Sequence, residues 1–228
     1  MEILVTIRYL SALTPSKLHE TLGLGQTLAS LLRCGKLVLN GDSMALRLPT
    51  EGKFKRTKFK ALVHYICWRT QDNPARLGAT KLNKILWYAE TGAFLKTGKP
   101  LTGARYVKRQ HGPVPACIPA IVDELAQERK IFVREPYRQF DPREFISLQE
   151  PDIDSLFVPS EIGDIDRIID AICDAHTATS ISLKTHNEPW RLAELGEDLP
   201  IFTVLATPAE ITEADMKWAD RKIAALKG

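Results

Sequence analysis

The sequence lacks the local motifs by which the commonest enzyme classes are recognised. It contains no phosphate-cradling glycine loop, no Walker motif, no HExxH zinc motif and no nucleophile elbow. We therefore expect no catalytic residues in this chain.

Closely spaced cysteines and long hydrophobic runs are also missing. The four cysteines are scattered with no CxxC pair and no secretory-type leader before them, which argues against a disulfide framework or a zinc site. The apolar runs stay far below the ~18 residues that crossing a bilayer requires. We expect free thiols, no metal, no cofactor and a cytoplasmic protein.

One thiol leaves a chemical alternative open. Cys117 is expected in the first turn of a helix, where the helix dipole can lower a thiol pKa, and His111 lies six residues upstream. A small buried cysteine is the competing interpretation, and we favour it because free cysteine is among the most buried residue types.

Charge is distributed unevenly although the net charge is only +3. Residues 53–109 carry +12, whereas residues 110–228 carry −10. A segment this basic suits a nucleic-acid backbone or an acidic protein partner, but the acidic part can neutralise it within one fold. We favour internal pairing or solvation over phosphate binding.

The chain is organised around residues 80–115. An apolar stripe at helical spacing predicts an amphipathic helix, formed by Leu82, Ile85, Leu86, Ala89 and Ala93. Lys81, Lys84 and Glu90 fall outside that stripe.

A glycine- and proline-rich turn containing Gly98 and Gly103 should end this helix. A short extended piece, residues 105–108, then leads to the loop His-Gly-Pro-Val-Pro at 111–115. Gly112 permits an unusual backbone angle and the prolines fix φ, so the loop is either a preformed recognition surface or a rigid structural corner.

The remaining chain predicts a mainly α, or α+β, fold: a compact helical domain with a short antiparallel β-hairpin. The hairpin strands are expected at 131–134 and 145–148. Helices are expected over 58–70 and 115–130, from Ser160 onward, on either side of Pro189, and over 207–226.

Residues 1–52 are predicted to be a small N-terminal appendage, and residues 53–228 the main domain. The order helix, turn, helix, hairpin over 14–48 resembles a winged helix-turn-helix. Its second helix would present Gln26, Thr27, Ser30 and Arg33 to DNA. A small helical cap used for packing is an equal alternative.

Two blocks of sequence together resemble a known family. The first runs from Thr80-Lys81-Leu82 through Tyr88, Gly98, Gly103 and Tyr106 to His111-Gly112-Pro113, and the second is Thr185-His186-Asn187-Glu188-Pro189-Trp190. Taken in this order, they are similar to the Panacea domain, the SocA-like antitoxin domain long known as a phage-associated domain, over about residues 54–226.

This resemblance implies a non-enzymatic, mostly helical antitoxin that neutralises a protein toxin encoded beside it by direct binding. One branch of the family instead resembles a proteolytic adaptor that delivers its toxin to an ATP-dependent protease. A transcription regulator that binds DNA through residues 14–48 is a further alternative.

Under the antitoxin hypothesis, basic side chains of the first block steer an acidic toxin face and the His-Gly-Pro loop sets its shape. The expected partner-binding residues are Lys81, Lys84, Arg105, Tyr106, Lys108, Arg109, His111, Gly112 and Pro113. The residues that carry the family motif are Thr80, Leu82, Tyr88, Gly98, Gly103, His186, Pro189 and Trp190.

Overall fold

The computed structural model describes residues 53–138 and 141–206. Residues 51–201 form one compact unit, which is described here by itself. The predicted winged helix-turn-helix with Gln26, Thr27, Ser30 and Arg33, and the predicted helix over 207–226, lie outside the described residues. The division of the chain at residue 52 stays a prediction.

Over the described ranges the fold consists of α-helices and two small antiparallel hairpins. In chain order the elements are α1 (Arg56–Arg69), α2 (Gly78–Thr97), β1 (Tyr106–Arg109), β2 (Gly112–Pro115), α3 (Ile118–Gln127), β3 (Ile131–Arg134), β4 (Glu144–Ser147), α4 (Pro159–Ala175), α5 (Ala178–Lys184) and α6 (Glu188–Leu192). Short 3-10 helices cover Pro74–Arg76 and Ile201–Ala206. The mainly helical fold class is confirmed. No helix in the described part combines the length and the apolar character needed to cross a membrane.

Helix α2 is the central element of the unit. It packs against α4, α5 and β2, and also contacts α1 and β4. The apolar pattern places Lys84 and Glu90 outside the packed face, but the structure leaves each of them only 1% exposed. The reason is that α2 is surrounded on several sides, so its polar flank is buried as well as its apolar stripe.

Buried Glu90 holds the segment that follows α2. Its carboxylate accepts hydrogen bonds from the backbone N–H groups of Thr102 (3.0 Å) and Ala104 (3.4 Å), and from the Thr102 hydroxyl. Helix α2 itself ends at Gly98, whose φ of +72° is a left-handed angle that suits glycine at a helix end. Together these contacts direct the chain from α2 into β1.

The His-Gly-Pro loop forms part of a hairpin that the sequence did not predict as paired strands. Strands β1 and β2 pair in antiparallel register, with Tyr106 opposite Pro115 and Arg109 opposite Gly112. The other edge of β1 is covered by backbone: the N–H of Lys108 donates to the carbonyl oxygen of Glu197 at 2.8 Å. The prolines in β2 explain why the strand was not predicted. Proline has no backbone N–H to donate to a neighbouring strand, so within sheets it occurs mainly on edge strands.

The second hairpin agrees with the prediction. Ile131 lies opposite Ser147, and Arg134 lies opposite Glu144. Helix α4 follows and begins at Pro159, one residue before the expected N-cap Ser160. Its first turn is closed by the carboxylate of Glu161, which accepts the backbone N–H of Val158 at 3.1 Å.

Charge pairing within the unit joins the basic and acidic parts of the sequence. Along α4, Arg69 pairs with Asp166 at 2.7 Å, and Lys58 pairs with Glu161 at 2.9 Å. Arg76 pairs with Asp174 at 2.8 Å. The prediction that acidic residues of the same fold pair with the basic segment is therefore confirmed for Lys58, Arg69 and Arg76.

Candidate functional site

The first hairpin is attached to a segment more than 70 residues further along the chain. The hydroxyl of Ser182 donates a hydrogen bond to the carbonyl oxygen of His111 at 2.9 Å. The indole N–H of Trp190 donates to the carbonyl oxygen of Arg109 at 3.2 Å. The two sequence blocks that carry the family resemblance thus form a single structural site.

Gly112 makes this close approach feasible. Its φ is +106°, a conformation that side chains rarely adopt, and a Cβ at this position would overlap Oγ1 of Thr185 and Nζ of Lys84. The glycine is therefore needed twice, for its backbone angle and for the space it leaves.

Lys84 reaches from α2 to the underside of the hairpin. Its ammonium group donates a hydrogen bond to the carbonyl oxygen of Pro113 at 3.3 Å, and no ion pair joins it to any carboxylate among the described residues. Burial lowers the pKa of Lys84 to about 7, because the charged form is poorly solvated.

Trp190 is held from three directions. Its ring stacks on the ring of His186 with centroids 3.6 Å apart, and the ammonium of Lys108 lies 4.2 Å from the indole centre. Asn187 caps α6, since its side-chain oxygen accepts the backbone N–H of Trp190 at 3.2 Å. The helix cap therefore sets the direction in which the indole reaches the hairpin.

The predicted partner-binding residues differ in how far their side chains are exposed to solvent. Arg105, Arg109 and His111 are exposed, and Lys81 and Lys108 are half-buried. Buried positions are taken by Lys84, Tyr106, Gly112 and Pro113.

Several of these cations already have partners inside the unit. Lys81 donates to the carbonyl oxygen of Cys173 at 3.0 Å, and Arg105 pairs with Asp198 at 2.9 Å. Arg109 and His111 have exposed side chains that form no ion pair with any described residue. These two side chains, at the hairpin turn, are the ones free to meet another molecule.

The motif residues have mainly structural positions. Leu82 is 1% exposed in the core, and Gly98 and Gly103 have left-handed φ angles of +72° and +73° that turn the chain after α2. Thr80 and Tyr88 are half-buried on α2, and Pro189 is buried at the start of α6.

Sequence reasoning missed Ser182 and Leu195 as parts of the site, and it named Thr185 only as the first residue of the second motif block. Ser182 and Thr185 contact the hairpin, and Leu195 lines a cavity beside it. The only signal that could have found Ser182 and Leu195 is their position near the Thr185–Trp190 block.

Cys117 does not have the environment of a reactive thiol. It is the N-cap residue of α3 and is half-buried. Burial raises the pKa of the Cys117 thiol, which outweighs the effect of the helix terminus. Within the described ranges, no group of three or more His, Cys, Asp or Glu side chains is placed to hold a metal ion.

Fold and site together define a mainly helical domain in which a basic hairpin is fixed by a distant His-Asn-Glu-Pro-Trp segment. Residues 82–191 match the family model described as "Antitoxin SocA-like, Panacea domain". This match confirms the resemblance, over a shorter range than the expected 54–226. Searches of curated proteins and of solved structures gave no match.

Proposed function

We propose that this protein is an antitoxin that neutralises a protein toxin, encoded by a neighbouring gene, through direct protein–protein binding. The observation that carries the proposal is the match of residues 82–191 to the SocA-like antitoxin family. The matched range contains the second sequence block and all of the first block except Thr80 and Lys81.

The surface proposed to contact the toxin is the hairpin face, formed by Arg109, His111, Arg191 and Leu195. All four side chains are exposed, and the three basic residues have no acidic partner among the described residues. Leu195 is 69% exposed, which places an apolar side chain beside the cations. A basic surface with an apolar element suits an acidic protein partner, because unlike charges steer the encounter and apolar burial stabilises the complex.

The other expected partner residues have supporting positions in this proposal. Tyr106, Gly112 and Pro113 shape the hairpin from within, and Lys108 supports Trp190. Lys84 is not part of the exposed hairpin face, because its side chain is only 1% exposed.

Growth under co-expression tests the proposal. The product of the adjacent reading frame should stop growth when expressed alone, and growth should return when this protein accumulates with it. A harmless neighbour, or one that remains toxic when this protein is abundant, would remove the proposal.

The same cultures distinguish direct neutralisation from the adaptor alternative. In direct neutralisation the amount of toxin, followed by immunoblot, stays constant while growth returns. Loss of the toxin only in cells that retain their ATP-dependent proteases would instead identify an adaptor. The DNA-binding alternative concerns residues 14–48, and a salt-dependent shift of the operon's own promoter would support it.

A further inference from the structure

A cavity of about 380 Å³ lies beside the hairpin turn. Its walls include Thr80, Asn83 and Lys84 from α2, and Arg109, His111 and Val114 from the hairpin. Sites for small ligands usually measure roughly 300–1,000 Å³ and combine apolar walls with a few polar groups. This cavity therefore has the size and the mixed lining of a binding site.

A buried cation without a counter-charge lies in its wall. Lys84 is 1% exposed and makes one hydrogen bond with the described residues, to the carbonyl oxygen of Pro113, so two of its three donors have no described partner. No described carboxylate pairs with it. Buried charges are normally paired, because desolvating an isolated ammonium is costly. An anion would supply the counter-charge that the described residues do not provide.

The surroundings of Lys84 also favour an anion. The first turn of α2, which contributes Thr80 to the cavity, has no acidic residue and no side-chain cap, so its N–H groups present the positive end of the helix. Burial is the largest cause that lowers the pKa of nearby His186, followed by the neighbouring basic residues Lys84, His111, Lys108 and Arg191. Basic side chains around the cavity favour a negatively charged ligand.

A second polar atom of the wall lacks a partner. Oδ1 of Asn83 is buried and accepts no hydrogen bond from any described residue. A carboxylate cannot satisfy this acceptor, but the oxygen and nitrogen of an amide exchange places by a flip of the side chain, and the flipped Asn83 presents its N–H donors to the ligand.

We propose that this cavity is a carboxylate-binding site in which the ammonium of Lys84 is the buried counter-charge. One ammonium matches one negative charge, which suits a carboxylate better than a doubly charged phosphate. The apolar side chain of Val114 supplies contact for the methylene groups that follow a carboxylate. Arg109 and His111, at the rim, attract the anion.

Two ligands present this chemistry: a free small carboxylic acid, and an Asp or Glu side chain of the toxin. The second of these rests on the proposed antitoxin function. A nuclear magnetic resonance titration of the full chain with propionate tests the site without any toxin. Backbone signals of Thr80, His111 and Val114 should shift saturably, and inorganic phosphate should produce weaker changes.

Substitutions test whether the binding of propionate depends on Lys84. The Lys84→Met variant should bind propionate at least about tenfold more weakly, whereas Lys99→Met, at an exposed lysine just beyond the C-terminal end of α2, should bind as the wild type does. Arg109→Gln, at an exposed side chain, should weaken binding without a change in folding. Absence of saturable shifts, tighter binding of phosphate, or equal affinities of the Lys84→Met and Lys99→Met variants would overturn the proposal.

Competition identifies the source of the carboxylate. If propionate at saturating concentration weakens the complex with the neighbouring gene's product, an acidic side chain of that partner occupies the cavity. If the complex is unaffected while propionate binds, the ligand is a free acid. Failure of the propionate titration would leave the antitoxin function standing, and failure of the growth test would leave the cavity proposal standing.

Discussion

The indole N–H of Trp190 donates a hydrogen bond to the backbone carbonyl of Arg109, across 81 positions of sequence. This bond connects the two motif blocks, which are separate in the chain and adjacent in the fold. The ring that donates it is stacked on His186 and covered by the ammonium of Lys108. The hairpin therefore depends for its position on residues of α6.

Removing this bond should destabilise the protein measurably. Trp190→Phe keeps an aromatic ring but loses the N–H donor, and a net loss of about 1 kcal/mol is expected. Urea unfolding measures it. The control is Trp68→Phe, because the indole of Trp68 donates no hydrogen bond to any described residue while its ring lies near Tyr65. Equal losses in the two variants would contradict a role for the bond.

Gly112→Ala should be far more damaging than an ordinary glycine substitution. The new Cβ would overlap Oγ1 of Thr185 and Nζ of Lys84 at a φ of +106°, so a loss of at least about 2 kcal/mol is expected. Gly163→Ala is the matched control: this glycine lies within α4 with nothing within 4 Å of its Cβ position. The control should gain about 0.5–1 kcal/mol, because alanine is the better helix former. A tolerated Gly112→Ala would show that the hairpin is not packed as described.

Lys84 should give the free energy of unfolding a distinct pH dependence. Its pKa is about 7 in the folded protein, below its usual 10.5. Between these values the unfolded chain binds more protons than the folded one, so stability rises with pH over this window and is lowest below about pH 7.

The Lys84→Met variant isolates this effect. From pH 7 to pH 9 the wild type should gain about 2 kcal/mol relative to Lys84→Met, measured by urea unfolding at each pH. The exposed Lys99→Met variant should follow the wild type. Parallel curves for wild type and Lys84→Met would mean that Lys84 titrates normally.

Cys117 should react slowly with iodoacetamide. Burial raises its thiol pKa, so little of the thiolate is present near pH 8. Cys67, whose pKa burial raises to about 12, should react still more slowly in the native protein. Alkylation followed by mass spectrometry, with the urea-unfolded protein as the reference, measures both rates. Native Cys117 reacting faster than the unfolded reference would revive the thiol-enzyme alternative.

Much of the fold was predictable from local patterns. The stripe of Leu82, Ile85 and Leu86 located α2, and the strand predictions at 131–134 and 145–148 located the second hairpin to within one residue. The first hairpin was not predicted as strands, because its prolines suppress the usual strand signal. The burial of Lys84 and Glu90 was also missed, because helical periodicity describes one packed face and α2 has neighbours on several sides.

The site was predictable only in part. The sequence singled out His111–Pro113 and His186–Trp190, each as a separate motif. Their contact could not be predicted, since it depends on how α5 packs against α2 and how far Trp190 reaches. Ser182 carries no local signal, because serine near a helix end has many roles.

The most direct test is the affinity for the neighbouring gene's product, measured by isothermal titration calorimetry. The double variant Arg109→Glu/His111→Glu reverses charge on the hairpin face at two exposed side chains, and Lys99→Glu changes charge at an exposed position outside it. If the hairpin face binds the toxin, the double variant should bind at least about tenfold more weakly than wild type and Lys99→Glu should bind nearly as tightly as wild type. Equal affinity of the double variant and the wild type would contradict the hairpin face as the toxin-binding surface.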